Sequence, residues 1–233
     1  MTAARAHLHS QGARGRLITL EGGEGAGKST QLAHIMRWLQ QSGIEAIGTR
    51  EPGGSPGAEI LRTFLLSGRL ASLGPAAEAI LFAAARIDHI DATIEPALSA
   101  GKFVVCDRYA DSTRAYQGAQ EQLDPRFLRA LERVTLGTVR PDLTLIFDLP
   151  AAEGLARAGL RRGHGKGPDR FEGEDLRFHE SLRATFLAIA AAEPGRCAVV
   201  DASQPEESVS QAIFDLISKR LLVPAAAKQA DGG

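Results

Sequence analysis

The stretch that decides the fold is Leu17-Ile18-Thr19-Leu20-Glu21-Gly22-Gly23-Glu24-Gly25-Ala26-Gly27-Lys28-Ser29-Thr30. A short apolar run leads into a glycine-rich turn, and the turn leads into a segment with helical spacing of apolar residues. Residues 22–29 satisfy G-x-x-x-x-G-K-[ST], a strand–loop–helix pattern that wraps a phosphate. The glycines let successive backbone N–H groups turn inward without a Cβ in the way. Lys28 would reach the β- and γ-phosphates of a nucleotide and the Ser29 hydroxyl would ligand Mg2+. The helix starting at Lys28 adds the positive end of its dipole. On this reading Gly22, Gly23, Glu24, Gly25, Ala26, Gly27, Lys28, Ser29 and Thr30 form an ATP-binding loop.

Outward from the loop, residues 28–41 place Leu32, Ile35, Met36 and Leu39 on one helical face, with Gly43 as a stop. Apolar runs rich in β-branched or aromatic residues predict strands at 17–21, 45–49, 103–107, 143–148 and 197–201. Helical spacing returns over about 174–192, through Leu176, Leu182, Phe186 and Ile189. A further helix starts near Pro205 and carries Val209, Ile213 and Ile217. Strands alternating with helices predict a doubly wound parallel five-stranded α/β sheet of the P-loop type, flanked by helices. Ligands of such sheets bind at the carboxyl ends of the strands.

The 233 residues suit one domain, expected over 17–222. A formal net charge of -1 argues against a general nucleic-acid binder. Cys106 and Cys197 form no CxxC pair, and Cys106 in its apolar run reads as a buried reduced thiol. No apolar stretch has the length of a membrane span. Arg5, His7, His9, Arg14 and Arg16 with no acidic residue or apolar core do not form a secretory signal. Residues 1–16 are expected to be a disordered extension of a cytoplasmic chain, an organelle transit peptide being the alternative, and 223–233 a flexible tail.

A phosphate loop alone leaves several functions open. The guanine-reading N-K-x-D segment of a GTPase is missing, and a motor ATPase would need more chain, which leaves mainly small kinases. The second strand runs into Thr49-Arg50-Glu51-Pro52-Gly53-Gly54, putting an arginine at a strand end, where Pro52 and the glycines stop any helix. The third runs into Asp107-Arg108-Tyr109. Asp107 is placed to hold Mg2+ directly or through water. Arg50 and Arg108, at neighbouring strand ends, suit a dianionic phosphate, because guanidinium forks pair bidentately with its oxygens.

Six segments, in order and spacing, resemble the thymidylate kinase family, in its bacterial type with a basic lid and no arginine in the phosphate loop. They are residues 21–30, Thr-Arg-Glu-Pro-Gly-Gly (49–54), Leu-Phe-Ala-Ala-Ala-Arg (81–86), Asp-Arg-Tyr (107–109), Ala-Tyr-Gln-Gly (115–118) and Pro-Asp-Leu-Thr-Leu (141–145). The resemblance spans about residues 16–220. It implies transfer of phosphate from Mg-ATP to dTMP, and a homodimer built from helices around 57–100. It further implies that Arg50 and Arg108 hold the dTMP phosphate, that Phe82 stacks on thymine and that Arg86 bonds its carbonyl edge. Thr113 and Gln117 would read the base from the other side. Glu24 would accept from the 3′-hydroxyl, and Tyr116 would close off the 2′ position. A carboxylate only accepts, which suits a sugar hydroxyl, while a glutamine amide offers both donor and acceptor.

Residues 157–172 combine Arg157, Arg161, Arg162, Lys166 and Arg170 with four glycines, the composition of a lid that hinges over a polyphosphate. A loop without arginine resembles family members whose catalytic arginines sit in the lid, which points first to Arg162 and then to Arg161. The Gly-His-Gly-Lys-Gly insertion departs from the shorter lids of the family and shifts the register of these residues. The acceptor is already an anion, so positioning and charge neutralisation suffice without a general base. Two rivals stand beside this reading. A kinase of another nucleotide or a deoxynucleoside would have the same fold, but a deoxynucleoside acceptor would want a carboxylate base instead of the two arginines. A nucleotide-dependent switch would not need an arginine-rich lid.

Overall fold

The computed structural model of the chain describes residues 14–67, 73–119, 123–162, 171 and 173–222. Its sheet has five parallel strands, β1 (Leu17–Gly22), β2 (Ala46–Arg50), β3 (Phe103–Asp107), β4 (Leu143–Asp148) and β5 (Cys197–Asp201), in the order β2-β3-β1-β4-β5. The chain leaves central β1 toward β2 and β3, then returns to add β4 and β5 on the other side. That reversal opens a crevice at the carboxyl ends of β1 and β3. All five predicted strands are present, with β1 extended by Gly22 and β2 displaced by one residue so that Arg50 is its last member.

Around the sheet run α1 (Lys28–Gln41), α2 (Pro56–Leu66), α3 (Gly74–His89), α4 (Glu95–Ser99), α5 (Ala110–Ala119), α6 (Pro125–Leu136), α7 (Ala151–Arg162), α8 (Leu176–Ala192) and α9 (Glu206–Ile217). A π-helical turn, Ile90–Ile94, joins α3 to α4. Pro96 just beyond it has no N–H for an ordinary helical bond, which favours the wider turn there.

Every residue of β1 is buried, as a central strand covered on both faces requires. Ile18 and Leu20 pack with Ile35 and Leu39 of α1 and Val209 and Ile213 of α9. Leu17 belongs to a second cluster, with Ile94, Leu98, Val104 and Cys106, so the period-two alternation sorts β1 between two cores. Each fully buried aliphatic side chain of this kind contributes about 1.5–3 kcal/mol. Trp38 and Phe214 stack at 4.9 Å and extend the first core outward. On the opposite side Arg196 grips Asp111 at 2.6 and 2.9 Å and donates to Thr144 at 2.8 Å, tying the start of β5 to α5 and β4. Both cysteines are buried and free.

Residues 14–16, placed in the extension by the sequence reading, are bonded to the body. Arg14 pairs with Glu95, the Gly15 N–H donates to Leu98 at 2.7 Å, and Arg16 pairs with Asp142 at 2.8 Å. Residues 1–13 and 223–233, expected to be tails, lie outside the described residues.

The stop at the end of α1 is a Schellman turn. Gly43 adopts φ +74°, its N–H donates to Gln40 at 3.0 Å, and the Ile44 N–H donates to Leu39 at 2.9 Å. A Cβ on Gly43 would meet open space, so the penalty of a larger residue is backbone strain alone. Gly43→Ala is therefore expected to destabilise the fold by about 1 kcal/mol, read from urea unfolding. No loss would mean that the left-handed turn is not what ends the helix.

Candidate active site

The carboxyl ends of β1, β2 and β3 open into one cavity, walled by Glu24, Ser29, Arg50, Glu51, Arg62, Phe82, Arg86, Asp107, Arg108, Thr113, Tyr116 and Gln117 among others. The loop after β1 forms its floor. Gly25 has φ +66°, and a Cβ there would lie 2.0 Å from the Gly154 carbonyl oxygen. A Cβ on Gly154 would in turn lie 2.3 Å from the Glu24 oxygen. The loop and α7 therefore meet backbone to backbone, and only glycine fits on either side.

Lys28 is folded along the loop, donating through Nζ to the Gly22 oxygen at 3.0 Å and the Gly23 oxygen at 2.7 Å. Burial, with repulsion from Arg108, lowers its pKa to about 8 against the pull of Glu24 and Asp107. Ser29 Oγ donates to Asp107 Oδ2 at 2.7 Å, while Asp107 Oδ1 is buried with no hydrogen-bond partner among the described residues.

Arg108 carries φ +69°, an uncommon conformation for a residue with a side chain. Its Nη2 donates to Glu24 Oε1 at 2.6 Å and its Nη1 to the Gly22 oxygen at 3.1 Å, with the guanidinium 5.1 Å from the centre of the Tyr116 ring. The Tyr116 hydroxyl donates to the same Glu24 oxygen at 2.7 Å. Burial by itself would raise the Glu24 carboxyl, but Arg108, Lys28 and the Tyr116 hydroxyl outweigh it and hold it at about 2. Under this layer lies Glu21, fully buried. Its Oε1 accepts from the Tyr109 N–H at 2.8 Å and its Oε2 from Ser112 Oγ at 2.6 Å, which caps the start of α5 and holds the turn carrying Arg108. Burial first, and the nearby Asp111 second, push the Glu21 pKa up to about 7.

Arg86 is buried at the other end of the cavity. It donates through Nε to Glu51 Oε2 at 2.7 Å and through Nη2 to the Tyr109 oxygen and Thr113 Oγ1, each at 3.0 Å. Glu51 outweighs burial and raises the Arg86 pKa. Phe82, Tyr116 and Phe171 form an aromatic wall, with Phe171 at 6.3 Å from Phe82 and 5.0 Å from Tyr116. Gln117 is 1% exposed and its Oε1 has no hydrogen-bond partner among the described residues, an unusual cost for a side chain lining a cavity. Arg50 is half-exposed and pairs with Glu59 at 2.9 Å.

Ten residues singled out from sequence thus line one cavity: Glu24, Ser29, Arg50, Phe82, Arg86, Asp107, Arg108, Thr113, Tyr116 and Gln117. Ala26, Gly27 and Thr30 face a second cavity across the loop, walled by Gln31, Arg157 and residues 202–206. Arg161 and Arg162 end α7, but their side chains and residues 163–170 and 172 of the expected lid lie outside the described residues. Sequence reading passed over Glu21, Glu51, Arg62, Ser112, Gly154 and the residues of the second cavity. Glu21 did carry a signal, being a lone carboxylate at the end of an apolar strand where a buried partner is required, whereas Glu51, after the mixed β2, carried none. Arg62 and Gly154 carried none, since each lies on a helix that tertiary packing brings to the site.

The sequence pattern of the thymidylate kinase family matches residues 20–213. Among similar proteins, a thymidylate kinase of Bradyrhizobium sp. (strain ORS 278) is 54% identical over 214 residues, covering 92% of this chain and 94% of its own length. One from Afipia carboxidovorans is 55% identical, covering 92% and 95%, and one from Nitrobacter winogradskyi is 51% identical, covering 97% and 98%.

The Glu21 carboxyl generates a pH prediction. Its folded pKa, about 7, lies above the ordinary 4.5, so folding takes up a proton between those values. The stabilisation is fully present below about pH 4.5 and is lost as pH rises through about 7. Glu21→Gln has no proton to lose. The stability of the natural chain relative to that variant is expected to fall between pH 5 and pH 8 in urea unfolding. A difference independent of pH would show that Glu21 is already ionised at pH 5.

Proposed function

Because the chain belongs to the thymidylate kinase family, we propose that it transfers the γ-phosphoryl group of ATP to dTMP, giving ADP and dTDP for dTTP synthesis. The observation that carries the reading to this chain's own residues is the convergence of Arg50, Arg86 and Arg108 on one cavity beside the phosphate loop. An acceptor with a phosphate at one end and a carbonyl-bearing base at the other matches that distribution of donors.

In the proposed mechanism the dTMP phosphate docks between Arg50 and Arg108. Arg108 shifts from Glu24 to the phosphate, and the released Glu24, an anion at any physiological pH, accepts from the 3′-hydroxyl. Tyr116 stays against the sugar and disfavours a 2′-hydroxyl. Thymine stacks on Phe82, with Arg86 donating to a carbonyl and Gln117, beside Thr113, meeting the rest of the base edge. Lys28 exchanges the Gly22 and Gly23 carbonyls for the β- and γ-phosphates of ATP, whose base lies in the second cavity. The residues Ser29 and Asp107 fit Mg2+, because two hard oxygens stand together and Asp107 Oδ1 has no partner among the described residues. When bound, the ion would neutralise negative charge on the phosphates. The lid over 157–172 supplies Arg162, with Arg161 second, to the developing charge of the transition state.

The same reading makes the chain a cytoplasmic homodimer paired through α2 and α3, with ATP and dTMP as its partners rather than nucleic acid or membrane. Support for the pairing is the exposure of Ile60, Phe64, Ile80 and Ile87, all large apolar side chains on those two helices. No helix among the described residues is long and apolar enough to cross a membrane.

The test is coupled ADP release with Mg-ATP against dTMP, dUMP, dCMP, dAMP, dGMP and thymidine. A clear preference for dTMP is expected. Preference for another monophosphate would remove the base-reading roles, and silence across the panel would favour a nucleotide switch. Arg162→Ala is expected to lower kcat by ~10³-fold with dTMP affinity near normal. Unchanged turnover would move the role to Arg161 or Arg157.

A further inference from the structure

We infer that Glu51 is a positioning residue whose carboxylate determines which nitrogen of Arg86 faces the cavity, and that it thereby sets the choice among pyrimidine bases. The inference rests on the nucleotide reading above. Glu51 follows β2 directly, its N–H donates to the Asp107 oxygen at 2.9 Å, and it is buried in the cavity wall. Both carboxylate oxygens are used. Oε2 accepts from Arg86 Nε at 2.7 Å and Oε1 from His89 Nδ1 at 3.1 Å. A carboxylate only accepts, so the His89 proton toward it sits on Nδ1. In the neutral ring Nε2 then accepts from the Thr49 hydroxyl, 2.7 Å away. His89 is itself fully buried, so the inner links His89–Glu51–Arg86 are shielded from water while Thr49 is part-buried.

Its consequence lies at Arg86. With Nε bound to Glu51 and Nη2 bound to the Tyr109 oxygen and Thr113, Nη1 makes no hydrogen bond among the described residues. Whatever the cavity receives from Arg86 is therefore an Nη1 donor held in one orientation. A 4-carbonyl pyrimidine meets that donor with an acceptor. A 4-amino pyrimidine meets it with a second donor, and a buried mismatch of that kind discriminates strongly. Freed at Nε, the guanidinium could turn and present other nitrogens, and the distinction between the two bases would blur.

Glu51→Leu removes both acceptors, whereas Glu51→Gln could keep both contacts by turning His89 to its other tautomer. The expected result for Glu51→Leu is a rise of ~10–100-fold in KM for dTMP, a smaller fall in kcat and a KM for ATP within about twofold. The ratio of kcat/KM for dTMP over dCMP should fall at least ~10-fold. Thr49→Val, which removes only the far end of the chain, should lower the same ratio by a smaller factor. The Arg86 Nε–H resonance in ¹⁵N-arginine spectra, protected from exchange in the natural protein, should lose that protection in Glu51→Leu. A folded Glu51→Leu protein with the natural dTMP/dCMP ratio overturns the inference and leaves the dTMP reading intact. If that variant does not fold, an unchanged ratio in Thr49→Val overturns it and a lowered one supports it. A natural chain with no preference for dTMP over dCMP overturns the nucleotide reading and, with it, any role of Glu51 in base choice.

Discussion

Arg108 and Glu24, both part-buried, hold each other at 2.6 Å, and the crevice is arranged around that pair. Taking either charge out of water costs several kcal/mol, which the partner must offset together with every remaining donor and acceptor. The chain meets the demand from three directions. The Gly22 oxygen takes a second Arg108 nitrogen, the Tyr116 hydroxyl takes up the Glu24 oxygen, and the aromatic ring covers the guanidinium. Removing one member would leave the other part-buried without its counter-charge. The pair therefore keeps the crevice in order, and an anionic ligand can replace Glu24 as the partner of Arg108 with little net desolvation.

Such a pair persists only if its backbone is rigid, and β1 makes it so. The strand is buried on both faces, ends in the loop carrying Glu24, and places Glu21 under the turn carrying Arg108. Two carboxylates three residues apart thus have opposite characters. Glu24, surrounded by Arg108, Lys28 and a hydroxyl, is held ionised at about 2, whereas Glu21, deeper and near Asp111, is pushed toward neutrality at about 7. The environment decides the charge state of each. The buried pair of Glu51 with Arg86 repeats the logic at the far end of the same cavity.

Much of this was legible in the sequence. Parallel strands buried on both faces must be short continuous apolar runs, so β1, β3 and β4 announce themselves, and Gly43 stops α1 because it alone takes the left-handed turn without strain. The cavity residues Arg50, Asp107 and Arg108 were legible because they end strands in a fold whose ligands sit at strand ends. Phe82, Arg86 and Gln117 were not legible in that way. They lie on helices, where an aromatic, an arginine or a glutamine is ordinary, and only the motif resemblance separated them from core and surface.

What the sequence by itself determined is therefore the local chemistry: the phosphate loop, the strands that lead into it and the charged groups at their ends. These depend on residues near one another in the chain, where spacing and conformational preference suffice. Only the tertiary structure decided that Lys28 rests on its own loop carbonyls, that Glu24 pairs with Arg108, and that Glu51 spends both oxygens on Arg86 and His89. These partners stand 35 to 84 residues apart where they are side chains. No spacing rule relates them, because which buried charge finds which partner is fixed by the order in which the sheet assembles its strands and by the desolvation cost that each unpaired group would incur.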